Sequence, residues 1–280
     1  MSEFFLELFS EEIPAGLQKN LREKIFEDFK NLFEEKSIRS KKNFSFSTPN
    51  RLVLVFEGLD KQIKIKSKEI RGPKTSAPEQ ALEGFLRSNK IDKKDLFKKK
   101  TEKDEFYFYK TLATSLKTHD LLTEFIPKIL SNYQWKKSMK WGEFDLNWGR
   151  PLKSILSIFD KKIVSFKFHH LASSNLTFLD KDFEEKKRSF ENFKKYEKFF
   201  EDNGVIINQN KRLKIINKSF LKILGKKGLK INENPKLMDE VVNLVDSPNV
   251  LLCKFDKKFL SVPKEILTLT MESHQKYFPT

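Results

Sequence analysis

Phe4-Phe5-Leu6-Glu7-Leu8-Phe9 is the first apolar run of the chain and decides how the rest is read. It reads as a strand with apolar residues on both faces. Pro14 follows, suited to a first helical turn, where its missing N–H costs nothing. Leu17, Leu21, Ile25, Phe29, Leu32 and Phe33 then recur at spacings of three and four, which predicts an amphipathic helix to about Lys36. Phe44–Thr48 and Leu52–Glu57 read as two short strands around the turn Pro49-Asn50. The order strand, helix, strand, strand predicts an α+β fold, with mixed or antiparallel sheets and helices packed on one face. It argues against a doubly wound parallel sheet.

Further along, Gln62–Lys68 alternates Ile with Lys as a half-exposed strand does, and Arg71-Gly72-Pro73 ends it. Ala81, Leu82, Phe85 and Leu86 mark a short helix, and Phe106–Thr111 a strand. Between them residues 90–103 carry seven lysines, interrupted by Asp92, Asp95 and Glu102, which reads as a solvated face. Leu121 to Leu130 form a second amphipathic stripe with Pro127 inside it. Ile155–Phe159 and Ile163–Phe168 suggest a hairpin. Residues 181–203 suggest a charged helix with Phe190, Phe193, Tyr196, Phe199 and Phe200 as its apolar stripe, ended by Asn203-Gly204. Helices near 209–224 and 235–245 and strands at 249–255 and 258–262 complete the pattern. Without an obvious linker, the chain is divided at 150/151: an N-terminal α+β region, 1–150, and a second α+β region, 151–280.

The 280 residues include 55 Lys or Arg against 39 Asp or Glu, a net charge of +16. Such an excess points to nucleic acid or another anionic surface. Of the basic residues 47 are Lys and only 8 are Arg, and Phe and Ile abound while Ala is scarce. An AT-rich genome gives the same bias, so both readings of the charge stand. The excess lies beyond the first helix, since residues 1–45 hold 8 basic and 9 acidic residues. No apolar run approaches the ~20 residues of a membrane span, and the acidic N-terminus is not a signal peptide. The lone Cys253, inside an apolar run, is expected to be a small buried hydrophobe in a reducing cytoplasm.

Chemistry-bearing constellations are sparse. Nine scattered glycines form no phosphate-cradling loop. Four histidines and one cysteine, without HExxH or CxxC, supply no zinc set. His169-His170 is the best acid–base pair, yet neighbours on a strand point to opposite faces, which favours binding or packing. Glu11-Glu12 is read more economically as acids at a helix N-terminus than as a metal pair. The exceptional texture is at 135–151, where the only tryptophans, Trp135, Trp141 and Trp148, are interleaved with Lys136, Lys137, Lys140 and Arg150. Aromatics among cations can stack on bases and hold phosphates; alternatively the rings cover a core edge.

Several stretches carry a family likeness. Leu6-Glu7-Leu8-Phe9-Ser10-Glu11-Glu12-Ile13-Pro14 resembles the opening of the beta subunit of bacterial tetrameric glycyl-tRNA synthetase. Thr48-Pro49-Asn50-Arg51-Leu52 is similar to its Thr-Pro-Arg-Arg-Leu string, and Arg71-Gly72-Pro73 to its Arg-Gly-Pro element. Lys137-Ser138-Met139-Lys140-Trp141-Gly142, followed by Arg150-Pro151, resembles Lys-Ser-Met-Arg-Trp-Gly and a following Arg-Pro. Glu240-Val241-Val242, Leu244-Val245, Pro248, Phe259-Leu260, Pro263, Met271 and Gln275-Lys276-Tyr277-Phe278-Pro279 keep the family's order and spacing. Two places depart from it: Ser174–Leu179 stands where a Gly-His-Arg-Phe element is usual, and Ser247 where an aromatic is usual.

The resemblance implies a division of labour. The alpha subunit carries the class II catalytic fold and uses ATP and Mg²⁺ to make glycyl-adenylate, so this chain needs no cofactor and is expected to be non-catalytic alone. The beta subunit holds and positions tRNA(Gly) in a cytoplasmic alpha2 beta2 tetramer. Its N-terminal part looks like the body and tail of archaeal CCA-adding enzymes. Family members run on into an HD-type helical domain and an anticodon-binding domain, which makes this chain look like an N-terminal portion. On that basis Glu272–Thr280 is expected to pack poorly. The alternative is a stand-alone basic RNA-binding module derived from such a subunit. Candidate tRNA contacts are Arg51, Arg71, Lys74, Lys137, Lys140, Trp141 and Arg150. Where Lys is so abundant, an Arg marks a place that needs a planar fork. Arg51, Arg71 and Arg150 are each expected to make a defined contact, to tRNA or to an internal carboxylate or carbonyl. Arg22, Arg87 and Arg188 are assigned to solvated helix faces.

Overall fold

The computed structural model describes residues 2–65, 67–101, 104–179 and 187–280. In chain order the strands are β1 (Glu3–Ser10), β2 (Lys42–Thr48), β3 (Arg51–Glu57), β4 (Gln62–Ile65), β5 (Glu69–Lys74), β6 (Leu96–Lys100), β7 (Glu105–Lys110), β8 (Thr114–Lys117), β9 (Leu152–Phe159), β10 (Lys162–Ile163), β11 (Lys167–Phe168), β12 (Leu171–Ser174), β13 (Leu176–Phe178) and β14 (Lys187–Ser189). The helices are α1 (Ala15–Glu35), α2 (Glu79–Asn89), α3 (Thr118–Asn132), α4 (Phe193–Asp202), α5 (Gln209–Lys227), α6 (Pro235–Leu244) and α7 (Lys264–Thr270). The class is α+β.

Two compact units result: Met1–Asp60 with His119–Thr280, and Lys61–Thr118. The expected division at 150/151 falls inside the larger unit. There β9 pairs antiparallel with β1 along its length, Phe4 facing Phe159 and Phe9 facing Ser154. A strand from each expected region therefore shares one sheet, in the order β11-β12-β9-β1-β3-β2. Its pairings are antiparallel except β12 on β9.

The stripe of α1 covers one face of this sheet. Phe26, Phe29 and Phe33 meet Phe4 or Phe56 with ring centroids 5.0–6.0 Å apart. The expected one-sided packing is incomplete, because the other face is covered too. Phe193, Tyr196 and Phe200 of α4 share a core with Phe5, Val53, Val55, Leu156 and Ile158. A strand apolar on both faces has to be buried on both, and β1 is one.

The smaller unit holds a three-stranded antiparallel sheet, β5-β7-β6, the two-stranded sheet β4-β8, and α2. The lysine-rich stretch expected as a solvated face contains β6, whose Lys98, Lys99 and Lys100 are exposed.

Three expectations need correction. The helix expected over 181–203 begins only at Phe193, where Asn192 Oδ1 accepts the Lys195 N–H at 2.9 Å, and Lys187–Ser189 pair with β13 as a strand. Residues 180–186 lie outside the described residues. The strands expected at 249–255 and 258–262 do not form: the first finds no pairing partner among the described residues, and Lys257–Ser261 is a 3₁₀ turn. With that strand absent, Cys253 is exposed rather than buried.

The last residues divide. Phe278 packs on Phe220 of α5 with centroids 5.1 Å apart, and Lys276 Nζ lies 2.9 Å from Glu240. Tyr277 remains 56% exposed.

Candidate nucleic-acid interface

The candidate residues are dispersed to three places. Arg51 enters the core. Its position at the start of β3 points it under the sheet, 2% exposed, beside the wholly buried Glu7 of β1. Arg51 Nε lies 3.0 Å from Glu7 Oε1, and its fork donates to the carbonyls of Phe178 and Leu179. The guanidinium carbon sits 4.5 Å from the Phe9 ring centre and 4.6 Å from that of Phe200. Tyr196 donates its hydroxyl to Glu7 Oε1 at 2.7 Å. Burial pushes the Glu7 carboxyl above its ordinary value while Arg51 pulls it back, and burial raises the Tyr196 hydroxyl well above its own. Every feature of Arg51 is the internal fork, the structural of the two roles open to it. Arg51 is therefore withdrawn as an RNA contact, because a phosphate has no route to it.

Lys137, Lys140, Trp141 and Arg150 come together on the loop from Tyr133 to Pro151 of the larger unit. The loop is closed by a bridge in which the Met139 N–H donates to Trp148 O at 2.8 Å and the Trp148 N–H returns to Met139 O at 3.2 Å. Its tryptophans divide the two readings between them. Trp148 is buried and meets Trp135 edge-on at 5.0 Å and Phe168 at 5.7 Å, so these rings cover a core edge. Trp141 lies further out, half-buried, with His170 at 6.0 Å. Phe144, 44% exposed, stacks flat on His170 at 3.7 Å. His170 is thus a packing residue, and burial with the neighbouring His169 keeps its ring below the ordinary histidine value. Around this aromatic edge Lys137 and Lys140 are exposed, and Lys140 is only loosely held, 3.9 Å from Asp145. Arg150 is half-buried and donates to Gly149 O at 3.0 Å. The loop thus carries aromatic rings and exposed ammonium groups, the kinds of group that meet nucleic-acid bases and phosphates.

Gly149 makes the loop close. A Cβ there would run into Cζ3 of Trp135, so the indole occupies the space a side chain needs. Replacing Gly149 with alanine is expected to expel Trp135, at about 1–3 kcal/mol for an overpacked site. The check is a thermal melt with tryptophan emission: a lower melting temperature and a red shift are expected, and parental values in both would refute the close approach.

Arg71 and Lys74 lie on β5 of the smaller unit. Arg71 is exposed and its guanidinium carbon lies 3.6 Å over the ring centre of Phe106. Lys74 Nζ pairs with Asp104 at 2.7 Å.

Sequence reasoning missed two buried arginines. Arg22, expected on a solvated face, is 8% exposed and donates to Ser47 Oγ at 2.9 Å. Arg212 is fully buried on α5. Arg188 lies on β14, not on a helix, and Arg87 is exposed on α2 as expected.

The family model of the glycyl-tRNA synthetase beta subunit matches residues 4–280. The chain belongs to the glycyl-tRNA synthetase beta subunit family. Among similar relatives, the glycine–tRNA ligase beta subunit of Rickettsia bellii (strain OSU 85-389) is 40% identical over 278 residues, covering 99% of this chain and 42% of the relative. Those of Rickettsia canadensis and Rickettsia felis are each 38% identical, with the same shares covered. The chain thus spans about 42% of the length of the curated relatives it matches. In this family member no helix among the described residues is long and apolar enough to cross a membrane.

Proposed function

We propose that this chain is the part of a glycine–tRNA ligase beta subunit that holds and positions tRNA(Gly), while glycine activation with ATP and Mg²⁺ takes place in an alpha subunit. The observation that carries the reading is one loop that holds the half-buried Trp141, the exposed Phe144 and the exposed Lys137 and Lys140, in a family member of net charge +16. A gripping surface contributes to the reaction by positioning: the RNA must reach an activated aminoacyl group made elsewhere, and fixing that geometry lowers the entropic barrier. The same reading takes the beta subunit into an alpha2 beta2 assembly in the cytoplasm.

Binding of this kind rests on phosphate contacts, and each releases counterions. Affinity of the chain for tRNA(Gly) is expected to fall at least about tenfold across a fourfold rise in salt, the fall that two phosphate contacts alone produce. Filter binding at a series of salt concentrations measures it. Salt-independent affinity, or no binding at low salt, would reduce the basic excess to compositional bias. The pair of changes Lys137→Gln and Lys140→Gln is expected to flatten the salt dependence without lowering the melting temperature, since both side chains are exposed.

A further inference from the structure

The smaller unit, Lys61–Thr118, carries 16 Lys or Arg against 8 Asp or Glu, half of the chain's net charge on about a fifth of its residues. Its three-stranded sheet has two unlike faces. Residues directly opposite each other on neighbouring strands share a face, and alternate residues change face. On one side α2 lies over Gly72, where a Cβ would meet the Phe85 ring at 3.0 Å. The other side carries Arg71, Phe108 and Phe97 in one row across the sheet, and Lys74, Phe106 and Lys99 in the next.

This second face is an aromatic layer under cations. Phe97 is 37% exposed and stacks on Phe108, centroids 6.0 Å apart and planes 27° from parallel. Arg71 covers the buried Phe106 and is itself exposed. Lys99 reaches across Phe108, 5.6 Å from its ring centre, to pair with Glu69 at 2.9 Å. Both partners of that ion pair are about half exposed, so it opens at little cost.

We propose that this face, built on Arg71, Phe97, Lys99 and Phe108, binds unpaired RNA nucleotides by stacking. The exposed Phe97 ring, stacked on the half-buried Phe108 ring of the next strand, offers a π-surface that an unstacked base can cover and a paired, stacked base cannot. The Arg71 plane, already held against Phe106, extends the platform, and Lys99 and Lys74 flank it to hold the connecting phosphates. The charge complements a polyanion and opposes a basic protein partner. The proposal deepens the tRNA-positioning reading and rests on it for the identity of the RNA, though not for the stacking itself.

The test is fluorescence titration of the whole chain with an unstructured oligoribonucleotide carrying a fluorescent adenine analogue, and with a duplex RNA of the same length. Phe97→Leu keeps an apolar side chain but removes the ring, and Arg71→Lys keeps the charge but removes the plane. Each is expected to weaken single-strand binding about tenfold, the loss of one stacked base, with less quenching of the analogue and little change in duplex affinity. Equal losses on both RNAs would make the face a general phosphate surface and overturn the proposal. Unchanged single-strand affinity would also overturn it, leaving the face to a protein partner, while tRNA binding by the parent chain would still stand. Should the parent fail to bind tRNA(Gly) yet bind the oligonucleotide with this ring dependence, the platform stands and the tRNA-positioning reading falls.

Discussion

Replacing Arg51 with methionine is expected to destabilise the chain by about 3–5 kcal/mol, the usual cost of breaking a buried ion pair from one side. Glu7 would remain wholly buried on β1 with only the Tyr196 hydroxyl and its other neutral neighbours to face it. The carbonyls of Phe178 and Leu179 would lose their donor as well. Urea unfolding measures the loss. Adding Glu7→Gln to Arg51→Met is expected to recover part of it, because the uncompensated charge is then gone. The sign of the pH dependence follows from Glu7. Its carboxyl is already raised above 4.5 by burial, and losing Arg51 removes a charge that pulls it down. A raised carboxyl contributes stability below its unfolded value and forfeits it as pH rises through its folded one. The deficit of Arg51→Met against the parent should therefore be smallest near pH 4.5, where Glu7 is protonated in both folded proteins, and should grow as pH rises through their raised folded values. Arg51→Lys should lie between, keeping the charge but not the fork. A deficit under about 1 kcal/mol, typical of exposed pairs, would refute a buried charge pair.

What the sequence made legible followed its strongest periodicities. The apolar run at Phe4–Phe9 and the stripe from Leu21 to Phe33 become β1 and α1, since each buries a face that nothing else could cover. The pairing of β1 with β9 was not legible, because partners more than a hundred residues apart leave no mark in local spacing. Local pattern also failed at 249–255, where an apolar run has strand composition but, among the described residues, no strand beside it to pair with. Among the candidate residues, scarcity of Arg was a sound sign of a special contact but a poor sign of its kind. Arg22 falls one residue after Leu21 and three before Ile25, inside the buried stripe that also takes in Gln18. That spacing was the available signal: a polar residue in phase with the apolar stripe is turned inward whatever its charge. By contrast Lys137, Lys140 and Trp141 are placed by a loop with no periodicity, and it was the interleaving of tryptophan with lysine, together with family likeness, that singled them out.

Arg212 obeys the same phase rule, four residues before the buried Ile216 on α5, and it carries the second large prediction. Its guanidinium is fully buried and, among the described residues, faces no carboxylate in a direct pair. It donates instead to four carbonyls: Ser47 at 2.8 Å, Ile206 at 2.7 Å, Ile207 at 3.0 Å and Val242 at 2.9 Å. These belong to β2, to the segment entering α5, and to α6, so one side chain fastens three pieces of backbone. Burial lowers its pKa to about 10, with the charge of Asp246 opposing that shift and Arg22 adding to it. The group still carries its proton at neutral pH. Methionine in its place would fill the volume and leave the carbonyls without their donor, at ~1–3 kcal/mol for each buried group left unsatisfied. A loss of about 4 kcal/mol or more is expected for Arg212→Met, a large part of the ~5–15 kcal/mol that holds a typical domain folded. Lysine should rescue little, because a single ammonium cannot reach carbonyls on three sides of a planar fork. The loss should be local before it is global. Hydrogen exchange is expected to rise across 209–244, the segment the guanidinium ties to β2, while β1 and β3 keep their protection. Parental stability in Arg212→Lys would show that charge alone suffices, and uniform exchange across both helices and sheet would show that Arg212 supports the whole core rather than the attachment of α5 and α6.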